Sequence, residues 1–307
     1  MGAVMMTGFF MLSGFSLYYA YEDKELYLLE DIEKFYKKRI SGIFPAYYII
    51  GLVYCILVGA ESVIDNIFLM PMEILALQSI YPSTFGLTHN GGTWFISCIV
   101  LCYIVFPFIK ECVVQMDCRN KLLIATVVIG ILLYSPIVTW WFGLPSIYSN
   151  PAIRMMEFFV GIILASFLNE LKKQGRIKAI LFNKATILAE WIVAITCVSL
   201  LYHMDIARGN YLLYSWICLP LFALMLLGLA GTTWKKLNDS KWLSYASEIS
   251  YAFFLVQLFM WPIMRKWLEF TGIQNNLFKI VSSYVFCTMG AILIHELIEK
   301  PFKMIIN

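Results

Sequence analysis

Residues 152–204 read AIRMMEFFVGIILASFLNELKKQGRIKAILFNKATILAEWIVAITCVSLLYHM, and this stretch decides the fold. Two apolar runs, 152–169 and 186–204, flank a connection, 170–185, that carries Lys172, Lys173, Arg176, Lys178 and Lys184. A helix rising about 1.5 Å per residue needs around 20 residues to cross the hydrocarbon of a bilayer. Both runs have about that length. Neither shows the every-second-residue alternation of a barrel strand. Backbone groups in lipid must be satisfied within the segment, so the stretch predicts a helical hairpin across a membrane. Short connections rich in Lys and Arg stay on the cytoplasmic side, which places 170–185 inside.

The pattern repeats along the chain. Nine apolar spans are predicted, at 1–20, 45–59, 94–109, 122–141, 152–169, 186–204, 212–230, 246–264 and 278–298. Threaded alternately, they put 18 of the 23 basic residues on one side, in 21–44, 110–121, 170–185, 231–244 and the tail. That asymmetry predicts an integral, multi-pass protein of the cytoplasmic membrane with its C-terminus in the cytoplasm. Composition agrees: 61% of residues are hydrophobic and 14% charged, whereas charge is near a quarter in soluble domains. The net charge of +3 belongs to the cytoplasmic connections, so it reads as orientation and not as nucleic-acid binding. No Gly-rich phosphate loop and no Cys/His spacing of a metal site occurs. Six of the eight Cys fall in spans and read as small buried hydrophobes.

The chain reads as one domain, 1–307. The charge count sends the first span from outside to inside, with no preceding helix to carry its start across. One further helix upstream is therefore expected, making nine spans of an expected ten in an N-terminally incomplete all-α bundle. The stretch 67–80 (IFLMPMEILALQSI) is too short to cross and holds Pro71 and Glu73. Counting it as a span would invert every later connection. It reads as a re-entrant or interfacial helix on the outer side, leading into the uncharged, turn-rich 81–93 (YPSTFGLTHNGGT), an expected substrate mouth.

Ionisable groups inside a bilayer cost roughly 2.5–3.5 kcal/mol on insertion scales, so they face a partner or a wet cavity. Arg154 and Glu157, at i,i+3, share one helix face and read equally as a neutralising pair or as the polar lining of a substrate path. His295, Glu296 and Glu299 end the last span and are expected to snorkel to the interface. Lys38 and Arg39 precede a span. They serve as topology anchors, or else hold the phosphates of a cytoplasmic cosubstrate, which guanidinium suits bidentately. His89 is a weak candidate for a general base. Trp94 falls where an interfacial aromatic belt is expected.

Six short stretches together resemble the membrane acyltransferase-3 family, bacterial O-acyltransferases of cell-surface and secreted glycans. Phe9 to Phe15 (FFMLSGF) is similar to its "FFxLSGF" helix. Phe35 to Tyr47 (FYKKRISGIFPAY) is similar to its basic loop and "Pro-x-Tyr". Trp94-Phe95-Ile96-Ser97, with Tyr103 and Pro107, resembles "W-S/F-L-S…Y…FP". Arg154 to Phe158 with Gly161 resembles "RxxEFxxG". Ile249-Ser250-Tyr251 through Leu255 resembles "ISYxxYL", and Glu299 to Phe302 resembles the closing "EKPF". The chain departs from the family pattern at Gly42, Ile99 and Gln257, where many members have Arg, Glu and His. The resemblance implies that the helix expected upstream is the family's first, which carries an Arg and the proposed catalytic His.

The resemblance implies transfer of an acyl group, expected to be acetyl, from a cytoplasmic acyl thioester to a glycan hydroxyl presented outside. The cosubstrate implied is acyl-CoA, with no bound cofactor and no metal. Arg39 and Lys38 would hold the donor. Trp94, Ser97, Arg154 and Glu157 are the oxyanion or acceptor-site candidates, and the base is expected in the absent helix. Partners implied are the lipid bilayer, the glycan acceptor and glycan-assembly proteins. Two alternatives stand beside this: a carrier or flippase for a lipid-linked glycan, and a catalytically inactive remnant.

Overall fold

The computed structural model describes residues 2–58, 63–80, 91–143, 148–174, 184–203, 213–231, 239–273 and 275–306. Among these, all regular structure is helical. The helices are α1 (Gly2–Tyr21), α2 (Leu29–Val58), α3 (Val63–Ile74), α4 (Trp94–Gln115), α5 (Cys118–Trp141), α6 (Pro151–Lys173), α7 (Lys184–His203), α8 (Leu213–Gly231), α9 (Lys241–Phe270), α10 (Asn276–Ile294) and α11 (Lys300–Ile306). A 3₁₀ turn, Gly91–Thr93, leads into α4, and a π turn, His295–Glu299, joins α10 to α11.

Each predicted apolar span coincides with a helix. Among the described residues, five stretches are long and apolar enough to cross a membrane: Trp94–Gln115, Cys118–Trp141, Pro151–Lys173, Lys241–Phe270 and Asn276–Met304. Ala185–Cys197 and Cys218–Ala230 are apolar but shorter. The predicted spans thus fall on helices, and five stretches among the described residues have the length and composition of a crossing. The α3 segment has 12 residues, about 18 Å of helix, which agrees with its reading as too short to cross.

Helix starts follow from local chemistry. Asp117, Asn150, Ser240 and Asn275 stand before α5, α6, α9 and α10, and each side chain accepts from backbone N–H groups of the first turn. Such caps each contribute about 1 kcal/mol. Pro151 follows Asn150 at the first helical position, where its missing N–H costs nothing.

Two connections are shorter than the apolar pattern suggests. The basic stretch 21–44 was expected as a loop, yet α2 starts at Leu29 and carries Lys37, Lys38 and Arg39 on helix. Polar residues continue the helix beyond the apolar run, with Glu33 and Lys37 paired at 2.6 Å across one turn. In 110–121 only Met116 and Asp117 lie between α4 and α5. Lys110 and Lys121 are buried in ion pairs. Lys110 Nζ donates to Glu111 at 2.8 Å and to the Lys24 carbonyl at 2.6 Å. Lys121 Nζ donates to Ser166 at 2.8 Å and to Glu170.

The chain forms two compact units from interleaved segments. The first comprises 1–32 and 97–234, the second 33–96 and 235–307. In the first unit α1 packs along α6, with α8 against α1 and α7, and α5 against α6. In the second, α9 packs along α10 and its π turn.

Candidate active site

The α1–α6 packing of the first unit builds a buried polar cluster. Gly14 and Gly161 let the two backbones meet: a methyl on Gly14 would overlap the Phe158 carbonyl, and one on Gly161 the Met11 carbonyl. This approach brings Thr7 of α1 onto the face of α6 that carries Arg154 and Glu157. Arg154 Nη1 donates to Glu157 Oε2 at 2.7 Å and to Oε1 at 2.9 Å. Thr7 Oγ1 donates to Glu157 Oε1 at 2.8 Å. Arg154 Nε donates to the Tyr148 carbonyl at 2.8 Å, and the guanidinium stacks 4.7 Å from the Tyr148 ring and 5.7 Å from that of Phe10. Arg154 and Glu157 are each 1% exposed.

Of the two readings open for this pair, mutual neutralisation is present in the geometry. A buried charge stripped of its partner would be costly, and here each is paired and hydrogen-bonded. The cluster thus fixes a charged carboxylate and guanidinium at a single depth. Thr7 was invisible to sequence reasoning, because one hydroxyl in an apolar run carries no signal. Nearby, Ser13 and Tyr103 hydroxyls stand 3.4 Å apart, and Phe158 meets the edges of Tyr103 and Phe106. Ser97 belongs to this unit and is fully buried.

The second unit holds Lys38, Arg39 and Trp94. A hydrogen-bonded clasp positions Trp94. Tyr47 hydroxyl donates to the Glu73 carbonyl at 2.6 Å, and Gln78 Nε2 donates to the Thr93 carbonyl at 2.9 Å. Ser79 hydroxyl donates to the Trp94 carbonyl at 3.0 Å. Gln78, Ser79, Thr93 and Trp94 are all buried. Residues 78–79 and 93–94, on either side of the 81–90 connection, are therefore pinned to each other, and Ala76, in the left-handed region at φ 53°, turns the chain after α3. His89 lies outside the described residues, as does most of the expected mouth.

Lys38 is exposed on α2, and the Arg39 guanidinium lies 5.6 Å from the Phe35 ring. Tyr251 hydroxyl donates to the Ile43 carbonyl at 3.0 Å and docks α9 on α2 one turn beyond Arg39. The expectation that His295 and Glu299 snorkel is overturned. They are 4% and 3% exposed, because the π turn rotates both side chains into the α9–α10 packing. His295 Nδ1 meets Glu299 Oε2 at 2.8 Å. Only Glu296, half-buried and bonded to Lys300 at 2.8 Å, behaves as an interfacial residue.

Comparison with known proteins adds two findings. A family described as an acyltransferase domain matches residues 1–296. A relative, acyltransferase MdmB of Streptomyces mycarofaciens, is 26% identical over 190 residues, which is 55% of this chain and 47% of the relative. The chain thus aligns with about half the length of that relative. No solved structure matches.

Proposed function

The chain belongs to the acyltransferase-3 family, and from that membership we propose that it transfers an acyl group, acetyl in the first instance, from a cytoplasmic acyl-CoA to a hydroxyl of a cell-surface or secreted glycan. The observation that carries this reading is the family match across residues 1–296. The motif residues inside it close two buried polar clusters, around Arg154 and around Tyr47 and Trp94. Acyl transfer needs donors aimed at a developing oxyanion, each worth about 3–4 kcal/mol in a dry site. Trp94 in the second unit, and Ser97 and Arg154 in the first, all buried, are the candidates for that role. Arg154 also anchors Glu157 and Thr7, so its first duty is to position α1 on α6. Lys38 and Arg39, on one turn of α2, supply cationic groups for the donor's phosphates. Supporting partners are the bilayer, the glycan and glycan-assembly proteins.

The test is acyl transfer by the full chain in membrane vesicles, supplied with labelled acyl-CoA and candidate glycans. Labelled glycan that falls at least about tenfold in Arg39→Ala supports the reading, a loss of about 1.4 kcal/mol or more. Movement of a lipid-linked glycan across the vesicle without acylation would replace it with the carrier reading.

A further inference from the structure

At the end of the second unit, His295 lines a cavity of about 700 Å³ together with Tyr245, Glu248, Glu296, Lys300 and Lys303. That volume is in the range of small-molecule sites. The histidine is held as a reactive imidazole is held. Its Nδ1 meets the buried Glu299 Oε2 at 2.8 Å, and its ring packs edge-on to Tyr245. The contact of Nδ1 with the Glu299 carboxylate favours the tautomer with the hydrogen on Nδ1 and the lone pair on Nε2. Nε2 is 3.8 Å from Glu248 Oε2, beyond hydrogen-bond distance. Glu299 Oε1 is buried with no hydrogen-bond partner, and Oε2 has the imidazole at 2.8 Å and Lys303 Nζ at 4.0 Å. The residues sit on a π turn, an irregularity frequent at functional sites.

The Tyr251–Ile43 hydrogen bond ties α9 to α2. Arg39 is about 6 Å and Glu248 about 4.5 Å along their helices from the Tyr251–Ile43 contact.

The geometry points to His295 as a nucleophile that takes the acyl group from the thioester and carries it as an acyl-imidazole. The inference rests on the reading of acyl-CoA as donor. The Nε2 lone pair bonds to the carbonyl carbon and the C–S bond breaks, releasing a thiolate. The Nδ1 proton passes to Glu299 and on to solvent, and the thiolate takes a proton from water, so the sum is acyl-histidine and free thiol. His is among the side chains that form such covalent intermediates when a second group orients them. Later attack by a hydroxyl on the acyl carbon breaks the C–Nε2 bond, and the hydroxyl proton returns to the imidazole.

The experiment uses the purified full chain in nanodiscs with acetyl-CoA, without acceptor, freed of unreacted acetyl-CoA by rapid gel filtration before one portion is treated with hydroxylamine and another is mapped untreated. About one acetohydroxamate and one free CoA per chain are expected in the first turnover, and rapid-quench peptide mapping is expected to place a 42-dalton adduct on His295. His295→Gln should form none while still binding CoA. Glu299→Gln should slow the burst by about 10²-fold, the scale of a lost acid–base partner. An adduct elsewhere, an undiminished burst in His295→Gln, or acylated acceptor with no burst would each overturn the inference and leave the donor reading intact. Absence of CoA binding together with absence of transfer would overturn the donor reading and this inference with it. Peptide mapping of the unaltered chain decides the matter even where a variant fails to fold.

Discussion

Arg154 and Glu157 are bound to each other at 2.7 Å inside the first unit, with Thr7 of α1 completing the cluster from 147 residues away. The pair neutralises itself at a depth where either charge alone would be uncompensated. Removing one partner of a buried ion pair costs about 3–5 kcal/mol, whereas replacing both by apolar groups of similar size is often neutral. Glu157→Gln is therefore expected to lower thermal stability sharply in detergent, and the double variant Arg154→Met with Glu157→Leu to recover most of the loss. Equal loss in both would show that the pair does not act as a unit.

Two motif glycines have a packing role that a third does not. Gly14→Ala or Gly161→Ala forces a methyl onto a facing carbonyl, and overpacking of this kind costs about 1–3 kcal/mol. Gly42, inside α2, has nothing within 4 Å of its added methyl. Gly42→Ala should be stabilising by up to about 1 kcal/mol through helix propensity. Fluorescence-detected unfolding of the three variants separates them.

Tyr47→Phe removes the bond to the Glu73 carbonyl and the acceptor for Gln78, whose amide stands 3.3 Å from the Tyr47 oxygen. Leaving buried polar groups unsatisfied costs about 1–3 kcal/mol. Limited proteolysis should then cut faster within 81–90, the connection that this clasp closes, while sites in the first unit stay at their original rate.

The topology read from charge is tested by labelling. In a chain whose exposed Cys112 and Cys118 are changed to Ser, Gln174→Cys, on the exposed end of α6, should react with an impermeant thiol reagent only after the cytoplasmic side is opened. Reaction from the outside in sealed cells would reverse the whole arrangement.

The positions of the helices were legible in the sequence, because length and apolarity act locally. Their ends were less so. Lys110 and Lys121 looked like loop cations, yet each finds a carboxylate and is buried. A count of charge along a chain cannot distinguish a solvated amine from a paired one. The i,i+3 relation of Arg154 and Glu157 was visible, while Thr7 was not, since its partner is 150 residues distant. His295 and Glu299 were visible as residues and misjudged as interfacial. Their burial depends on α9 covering one side of the π turn, which periodicity along a single helix does not contain.

The interleaving of the two units has a consequence for biogenesis. The first helix of unit one leaves the ribosome well before α6, the helix that closes the contact with Thr7. At a synthesis rate of about 5–20 residues per second, 147 residues correspond to roughly 7–30 seconds. Throughout that interval α1 presents its bare Gly14 notch to lipid or to an insertion factor, while segments destined for the other unit enter between. Deleting a block from the middle of the gene would strand α1 without its mate, so fragments of this protein should be sought as co-expressed pieces that meet after insertion.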